Sequence, residues 1–411
     1  MVGMDRLVAD LQALCEFGRN ETGGWTRPAY SQVDEDAHMW LASRMEQAGL
    51  ATRFDGAGNL IGRLEAQPGG TQTGALVIGS HIDTVPRGGW LDGALGVLAG
   101  LEVARRLQES HAARTRPLEV IAFRDEEGRF GPFTGSRAMT GKLDLTRLSA
   151  MRDVDGLHLS QALQDRSLSA ATFASAAIPV GAISAYLELH IEQGPVLEAT
   201  GRRIGVVSAI VGQARFSLQF QGRPDHAGTT PMNLRRDAFA AAADFACLWR
   251  KMVVAEGKGV AVGTVGIVRV EPNAGNVVPS KVTLGVELRD IDELRLNRLT
   301  ELTGDLARDS AQDLGVEVSL RVTHRTQPAL MDGPFQAAIV DGAVRRDYPS
   351  MTLPSGAGHD AQNFADLVPT GMIFVPSIGG RSHCPEEATD VADLEAGLNT
   401  LLDVATGYLS T

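Results

Sequence analysis

Two short runs rich in apolar residues, Ala75-Leu76-Val77-Ile78-Gly79 and Leu118-Glu119-Val120-Ile121-Ala122-Phe123, flank a helix-length segment of small and aliphatic residues, Gly93 to Leu107 (GALGVLAGLEVARRL). Runs of this length suit strands covered on both faces, and parallel neighbours need a long crossover, usually a helix. The segment therefore predicts a right-handed βαβ unit in a largely parallel sheet, the nucleus of an α/β domain. Such sheets take their ligands in the crevice outside the carboxyl ends of the strands. Polar side chains at those ends are where chemistry is to be sought.

The rest of the chain divides around this unit. The first twenty residues mix Asp, Glu and Arg into an amphipathic helix, and 34–49 carries apolar side chains at helical spacing, opens on acids and ends at a Gly. A short strand is expected at 58–62. From about residue 212 the character changes. ARFSLQFQ (214–221) alternates as a strand, 235–255 reads as a helix, GVAVGTVGIVRVEP and KVTLGVELRD as two strands, 292–315 as a long helix, and VEVSLRVTHRTQP as a last strand. The order β, α, β, β, α, β is that of a ferredoxin-like α+β module. Apolar strands and helices resume after 330 with GMIFVPSI and 393–409. The expected organisation is one domain from 1–211 plus 331–411, interrupted by an inserted module at 212–330.

A length of 411 residues fits two or three domains, and 44% hydrophobic with 21% charged residues is globular composition. The formal net charge of −12 argues against nucleic acid or an anionic membrane surface as partner. No run reaches the length of a membrane span, and the N-terminal segment lacks the apolar stretch of a signal peptide. Cys15, Cys247 and Cys384 are odd in number and lie outside any CxxC spacing, which disfavours disulfides and thiolate zinc sites. A cytoplasmic location is expected.

Four polar constellations could carry chemistry. His81 and Asp83 in GSHIDTV stand at a strand end, with Asp92 in WLDG beyond; an Asp two residues on can accept the second imidazole N–H. Alone, this pattern fits a turn histidine as well as a ligand, and Asp92 fits a helix cap. FRDEEGRF sets Asp125, Glu126 and Glu127 after a buried strand, where they need a cation or a solvated turn. In an extended stretch adjacent Glu side chains point oppositely, so one could bind a metal while the other serves as base. ELHIEQG places His190, and SHCP places His383. Together His81, Asp92, Glu127, His190 and His383 make a mixed N/O set suited to Zn²⁺, Mn²⁺, Co²⁺ or Ni²⁺.

The ordered motifs GSHIDTVPRGGWLDGALGVLAGLE, DEEGRF, ELHIEQGPVLE, HAGTTPM, NAGNVVP, ELRD, SGAGHDAQ and RSHCPEE resemble the M20 metallopeptidase clan. More narrowly they are similar to its amidase/hydantoinase/carbamoylase branch of N-carbamoyl-L-amino acid hydrolases and allantoate amidohydrolases. The resemblance implies a Zn-exopeptidase-like three-layer α/β catalytic domain with an inserted dimerisation (lid) domain. It implies two divalent ions per subunit, held by His81, Asp92, Glu127, His190 and His383 with Asp92 bridging. Glu126 becomes the general base and His226, in DHAGTT, the stabiliser of the tetrahedral oxygen, contributed by the neighbouring subunit of a homodimer. Arg289 matches a carboxylate-binding arginine, Gln193, Gln213 and Asn276 match polar substrate contacts, and Gly358 lies in a loop offering backbone N–H donors. His359 and Asp360 are expected to orient that loop, and His38, His111, His158 and His324 to be solvated or packed. The implied reaction is hydrolysis of the linear C–N bond of an N-carbamoyl-L-amino acid, a non-peptide bond, to amino acid, CO₂ and ammonia. Allantoate is the alternative substrate; N-carbamoyl-β-alanine, or an aminoacylase or peptidase activity of the clan, ranks lower, as does a non-catalytic scaffold.

Overall fold

A computed structural model describes residues 2–70, 74–166 and 168–411. Met1, from which the expected N-terminal helix starts, lies outside them. The chain divides into two compact units, Met1–Ser208 with Met331–Thr411, and Ala209–Leu330. The break expected after residue 211 thus falls after Ser208.

The first unit contains strands β1 (Ala51–Phe54), β2 (Leu60–Leu64), β3 (Ala75–His81), β4 (Leu118–Phe123) and β5 (Ile183–Ile191), and most of β6 (Ile204–Ile210). The second holds β7 (Gly212–Gln221), β8 (Val262–Glu271), β9 (Lys281–Asp290), β10 (Glu317–Thr326) and β11 (Ala329–Leu330). The chain then returns with β12 (Ser350–Ser355) and β13 (Thr370–Val375). In the first unit the strand order is β1-β2-β4-β3-β5-β13-β6, with β12 also on β6. β3 runs parallel to β4 and β5, and β13 parallel to β5. β1 is antiparallel to β2, β2 to β4, and β6 to β13.

The βαβ reading of 75–123 holds: helix Ala94–Glu109 crosses from β3 to β4. Its small residues serve close approach, since a Cβ on Gly96 would stand 2.5 Å from the Leu189 carbonyl oxygen. Leu76, Ile78, Val97, Leu98, Leu101, Leu187 and Leu189 share the main core with the C-terminal helix Val391–Ser410. Burying each such side chain contributes about 1.5–3 kcal/mol relative to exposure. Elsewhere in the unit, Phe364 stacks on Tyr186 with ring centroids 4.4 Å apart, and Tyr30, Phe130, Leu148, Leu159 and Phe173 form a satellite core. The strand expected at 58–62 begins at Leu60, because the Asp55 carboxylate accepts the Ala57 and Asn59 N–H groups and makes 55–59 a turn.

The second unit is a four-stranded antiparallel sheet in the order β10-β7-β9-β8. Helices Ala238–Glu256 and Glu293–Gln312 pack on it through Phe245, Trp249, Leu296 and Leu299. Asp237 and Asp292 cap them, their carboxylates accepting first-turn N–H groups. Every second residue of β9 is buried, as one covered face requires. Sequence order and strand order are those of a ferredoxin-like module. Cys15, Cys247 and Cys384 are free thiols. Among the described residues no helix is long and apolar enough to cross a membrane.

Candidate metal centre

Parallel pairing brings the ends of β3, β4 and β5 side by side, and each delivers a site residue. His81 is the last residue of β3, Glu126 and Glu127 follow β4, and His190 is the penultimate residue of β5. The main core takes Leu187, Leu189 and Ile191 but not the intervening His190, as the two-residue period of a strand requires. His81 Nδ1 lies 3.0 Å from the Asp83 carbonyl oxygen and His190 Nδ1 lies 2.8 Å from that of Ile191. Each Nδ1–H is therefore spent on a backbone carbonyl, and each ring presents the lone pair of Nε2.

Those lone pairs meet carboxylates. Asp92 Oδ1 is 3.1 Å from His190 Nε2 and 3.6 Å from His81 Nε2, while its Oδ2 is 3.2 Å from His383 Nε2. Glu126 Oε2 stands 3.5 Å from His81 Nε2, and Glu127 Oε1 stands 3.5 Å from His383 Nε2. All five expected ligands and the expected base thus come together, with Asp92 facing both ways. Gln193 joins them, its Nε2 donating to Asp92 Oδ2 at 2.7 Å.

Such an assembly of acceptors needs positive charge at its middle. Burial opposes a charged His81, yet Glu126, Asp83 and Asp92 outweigh it and hold the ring well above the usual imidazole range. For His190, Asp92 likewise prevails over burial, and for His383 the hydrogen bond to Asp92 pushes the ring up to about 9. Burial would raise Asp92, but the three imidazoles keep it well below the ordinary carboxylate value. Burial drives Glu126 well above its usual range, and burial with Asp92 pushes Glu127 up to about 7. The positive partners that face Asp92, Glu126 and Glu127 are the imidazoles of His81, His190 and His383. The charge must come as protons on the imidazoles or as bound cations, and the donor set of imidazole nitrogens and carboxylate oxygens fits divalent ions.

The surrounding backbone is bent to aim these groups. Asp125, Gln193 and His383 have φ of +57°, +58° and +57°, a left-handed conformation that non-glycine residues adopt only where the surroundings impose it. The Asp125 carboxylate imposes it on the turn after β4 by accepting the Phe130 and Gly131 N–H groups and the Thr134 hydroxyl. Glu126 and Glu127 therefore diverge from a turn and not from an extended strand. The Asp83 carboxylate faces the His81 ring, its Oδ1 lying 3.6 Å from Nδ1, and it also accepts the Glu126 and Glu127 N–H groups at 3.4 and 3.2 Å.

Other expected residues are distributed over both units. Gly358 lies in the first, where a Cβ would meet the Phe133 ring at 2.6 Å. His359 bonds Ser355 at 2.8 Å within that loop and packs edge-on against His190, with centroids 4.5 Å apart. Asp360 is buried, its carboxyl pushed up to about 8 by burial and by Glu188. His226, Gln213, Asn276 and Arg289 belong to the second unit. Gln213 lies on β7 opposite Arg289 of β9. Arg289 donates to Glu287 at 2.6 Å. His226 bridges to Val277, next to Asn276, and its Nδ1 accepts the Gly228 N–H. His38 is buried against Asp34 at 3.1 Å.

Sequence reasoning missed Glu387 and Ser382. The Ser382 hydroxyl reaches Asp92 Oδ2 and Glu387 Oε2, each at 2.9 Å. Their only signal was membership of the RSHCPEE run, because their partners are remote in the chain.

An open α/β sheet with imidazoles and carboxylates gathered at its parallel strand ends around a cation-demanding centre defines a metal-dependent hydrolase. The peptidase family M20/M25/M40 matches residues 77–407. N-carbamoyl-L-amino acid amidohydrolase of Geobacillus stearothermophilus is 39% identical over 406 residues, covering 98% of this chain and 97% of that protein. Allantoate amidohydrolase of Bacillus subtilis (strain 168) is 36% identical over 400 residues, covering 96% and 95%. The crystal structure of an amidase of the hydantoinase/carbamoylase family from Burkholderia multivorans superposes with a TM-score of 0.90 at 33% identity, covering 99% of this chain and 98% of that one. The chain belongs to peptidase family M20/M25/M40, on the side of its hydantoinase/carbamoylase amidases.

Proposed function

We propose that the protein is a binuclear metal-dependent amidohydrolase that cleaves the linear C–N bond of an N-carbamoyl-L-amino acid to amino acid, CO₂ and ammonia. One observation carries this reading. Candidate donor atoms of His81, Asp92 and His190 lie within 4.8 Å of one another, those of Asp92, Glu127 and His383 do likewise, and Asp92 is common to both groups. Two sets of three sharing one carboxylate are what a pair of cations requires. Divalent ions bound there would acidify water and polarise the carbonyl of the ureido group.

The residues divide the remaining work. Glu126 is buried beside His81 and not claimed as a ligand in this assignment; it takes the proton of the attacking water and returns it to the departing nitrogen. The reading gives His226 the developing oxyanion and Arg289, whose planar fork matches a carboxylate, the substrate's acid group. Gln193, Gln213, Asn276 and the backbone at Gly358 are assigned to the remaining polar atoms of the substrate. The second unit is read as a lid through which two copies associate. Exposed Val262, Ile267 and Val268 on β8 support an apolar surface that a second copy would cover.

Carbamoyl-amino acid stands first on the likeness to the Geobacillus enzyme and on ELRD and GPVLE. Allantoate is the second reading, favoured by the Bacillus relative and by Gln213 with Asn276-Val277-Val278-Pro279. A panel of N-carbamoyl-L- and D-amino acids, N-carbamoyl-β-alanine, allantoate and N-acetyl-amino acids, assayed with added Mn²⁺ for ammonia or amine release, tests the choice. Highest kcat/KM on an N-carbamoyl-L-amino acid is expected. Preference for allantoate would install the second reading, and turnover of N-acetyl substrates alone would end both.

A further inference from the structure

Asp92 is asked to face two cations at once, so its orientation has to be fixed from outside the pair. Its loop is held by one buried side chain from a remote part of the chain. Glu387 is 2% exposed, and its Oε1 accepts the Leu91 N–H at 2.8 Å and the Asp92 N–H at 3.0 Å. Its Oε2 receives the Ser382 hydroxyl at 2.9 Å, the same hydroxyl that lies 2.9 Å from Asp92 Oδ2. The main-chain carbonyl of Glu387 adds a bond from the Trp90 indole N–H at 3.1 Å. Residues 90–92 and 382–387 are thereby fastened together, and each segment carries a candidate ligand, Asp92 on one and His383 on the other.

Buried carboxylates are costly unless their oxygens are satisfied, and here the satisfaction is spent on the backbone that carries Asp92. Gly89 adds a constraint from the other side: a Cβ there would stand 2.0 Å from Glu387 Cδ and Oε1. The chain leaves room for this carboxylate and for nothing more. We infer that Glu387 is a positioning residue that fixes Asp92 and His383 in the arrangement needed to bind two divalent ions. It touches no reacting atom; it acts through the Asp92 loop and through Ser382. The inference rests on the metal-centre reading above.

The test uses the full chain, freed of metal by chelator, with Mn²⁺ as probe and free Mn²⁺ followed by EPR. Three variants separate the roles. Glu387→Ala removes both acceptors, and affinity at one or both sites should fall about 10- to 100-fold, the usual effect of losing a partner that orients a ligand. Glu387→Gln keeps Oε1 for the two N–H groups, and its amide can donate to the Ser382 oxygen, so Mn²⁺ binding like that of the wild type is expected. Gly89→Ala keeps the carboxylate but expels it from its place and should reproduce the loss seen in Glu387→Ala. Circular dichroism reports folding, and if Glu387→Ala fails to fold, Gly89→Ala decides. Failure of the wild type to bind Mn²⁺ would overturn the metal-centre reading itself. Two ions in the wild type with unchanged affinity in Gly89→Ala and Glu387→Ala would overturn the role of Glu387 and leave the centre standing.

Discussion

Replacing Gly93 with alanine puts the geometry of the centre under direct strain. Gly93 precedes helix Ala94–Glu109 with φ +66° and ψ −48°, a region that L-residues avoid. Holding a non-glycine residue there costs about 1–3 kcal/mol. The added Cβ would also stand 2.4 Å from both Cδ2 and Nε2 of His81. Carbon contacts are comfortable near 3.5 Å, so the imidazole must retreat by about 1 Å. A misplacement of that size costs on the order of 100-fold in rate, and His81 is packed too tightly to recover it by a change of rotamer. Urea unfolding should show a midpoint lowered by an amount equivalent to about 1–3 kcal/mol at unchanged slope. Activity should fall roughly 100-fold, with weakened Mn²⁺ binding. Gly141→Ala is the control, because Gly141 has φ +70° and nothing within 4 Å of its would-be Cβ. It should show the backbone cost without loss of metal. Gly93→Ala with the Mn²⁺ affinity of the wild type would refute the claim that His81 is pinned against the Asp92–Gly93 turn.

Glu126→Gln should leave Mn²⁺ binding intact and lower kcat by about 10²- to 10⁴-fold, the span expected for a general base, as read by steady-state kinetics beside metal titration. Arg289→Lys should raise KM for carboxylate-bearing substrates far more than it lowers kcat, since an ammonium cannot reproduce the guanidinium fork. Asp34 gives the pH prediction. Burial would raise its carboxyl, but Arg124 and His38 prevail and hold it below the usual range. Its folded pKa is therefore lower than its unfolded one, so the stability it supplies is fully present above roughly pH 4. That contribution drains away as the pH falls through the folded value. Asp34→Asn should cost about 1.5–3 kcal/mol at neutral pH, because the buried Arg124 loses one of its two carboxylate partners and keeps Glu35 at 3.0 Å, and the difference from the wild type should shrink in acid denaturation.

The parts legible in the sequence are those set by local pattern. The βαβ unit showed itself because β3 and β4 are buried on both faces and therefore apolar at nearly every position, with small residues on the crossover helix. The ferredoxin-like unit was readable from the alternation of β7 and β9, whose two faces differ. His190 was found by its motif, because β5 is buried almost throughout and its burial pattern does not mark the residue out. The turn at Asp125 could not be read, because three consecutive acids give no sign of the φ that the Asp125 carboxylate imposes. Asp83 was read only as the partner of His81, because its further partners, the Glu126 and Glu127 N–H groups, lie more than forty residues on in the chain. Glu387 lay beyond reach: its partner Asp92 is 295 residues away, and only the folded sheet brings them together.

Anomalous diffraction from crystals grown with Mn²⁺ tests the central claim most directly. Two peaks roughly 3.5 to 4 Å apart are expected, one against His81, His190 and Asp92, the other against Asp92, Glu127 and His383. No peak among these residues, or ions held elsewhere while the purified protein is active, would contradict the account.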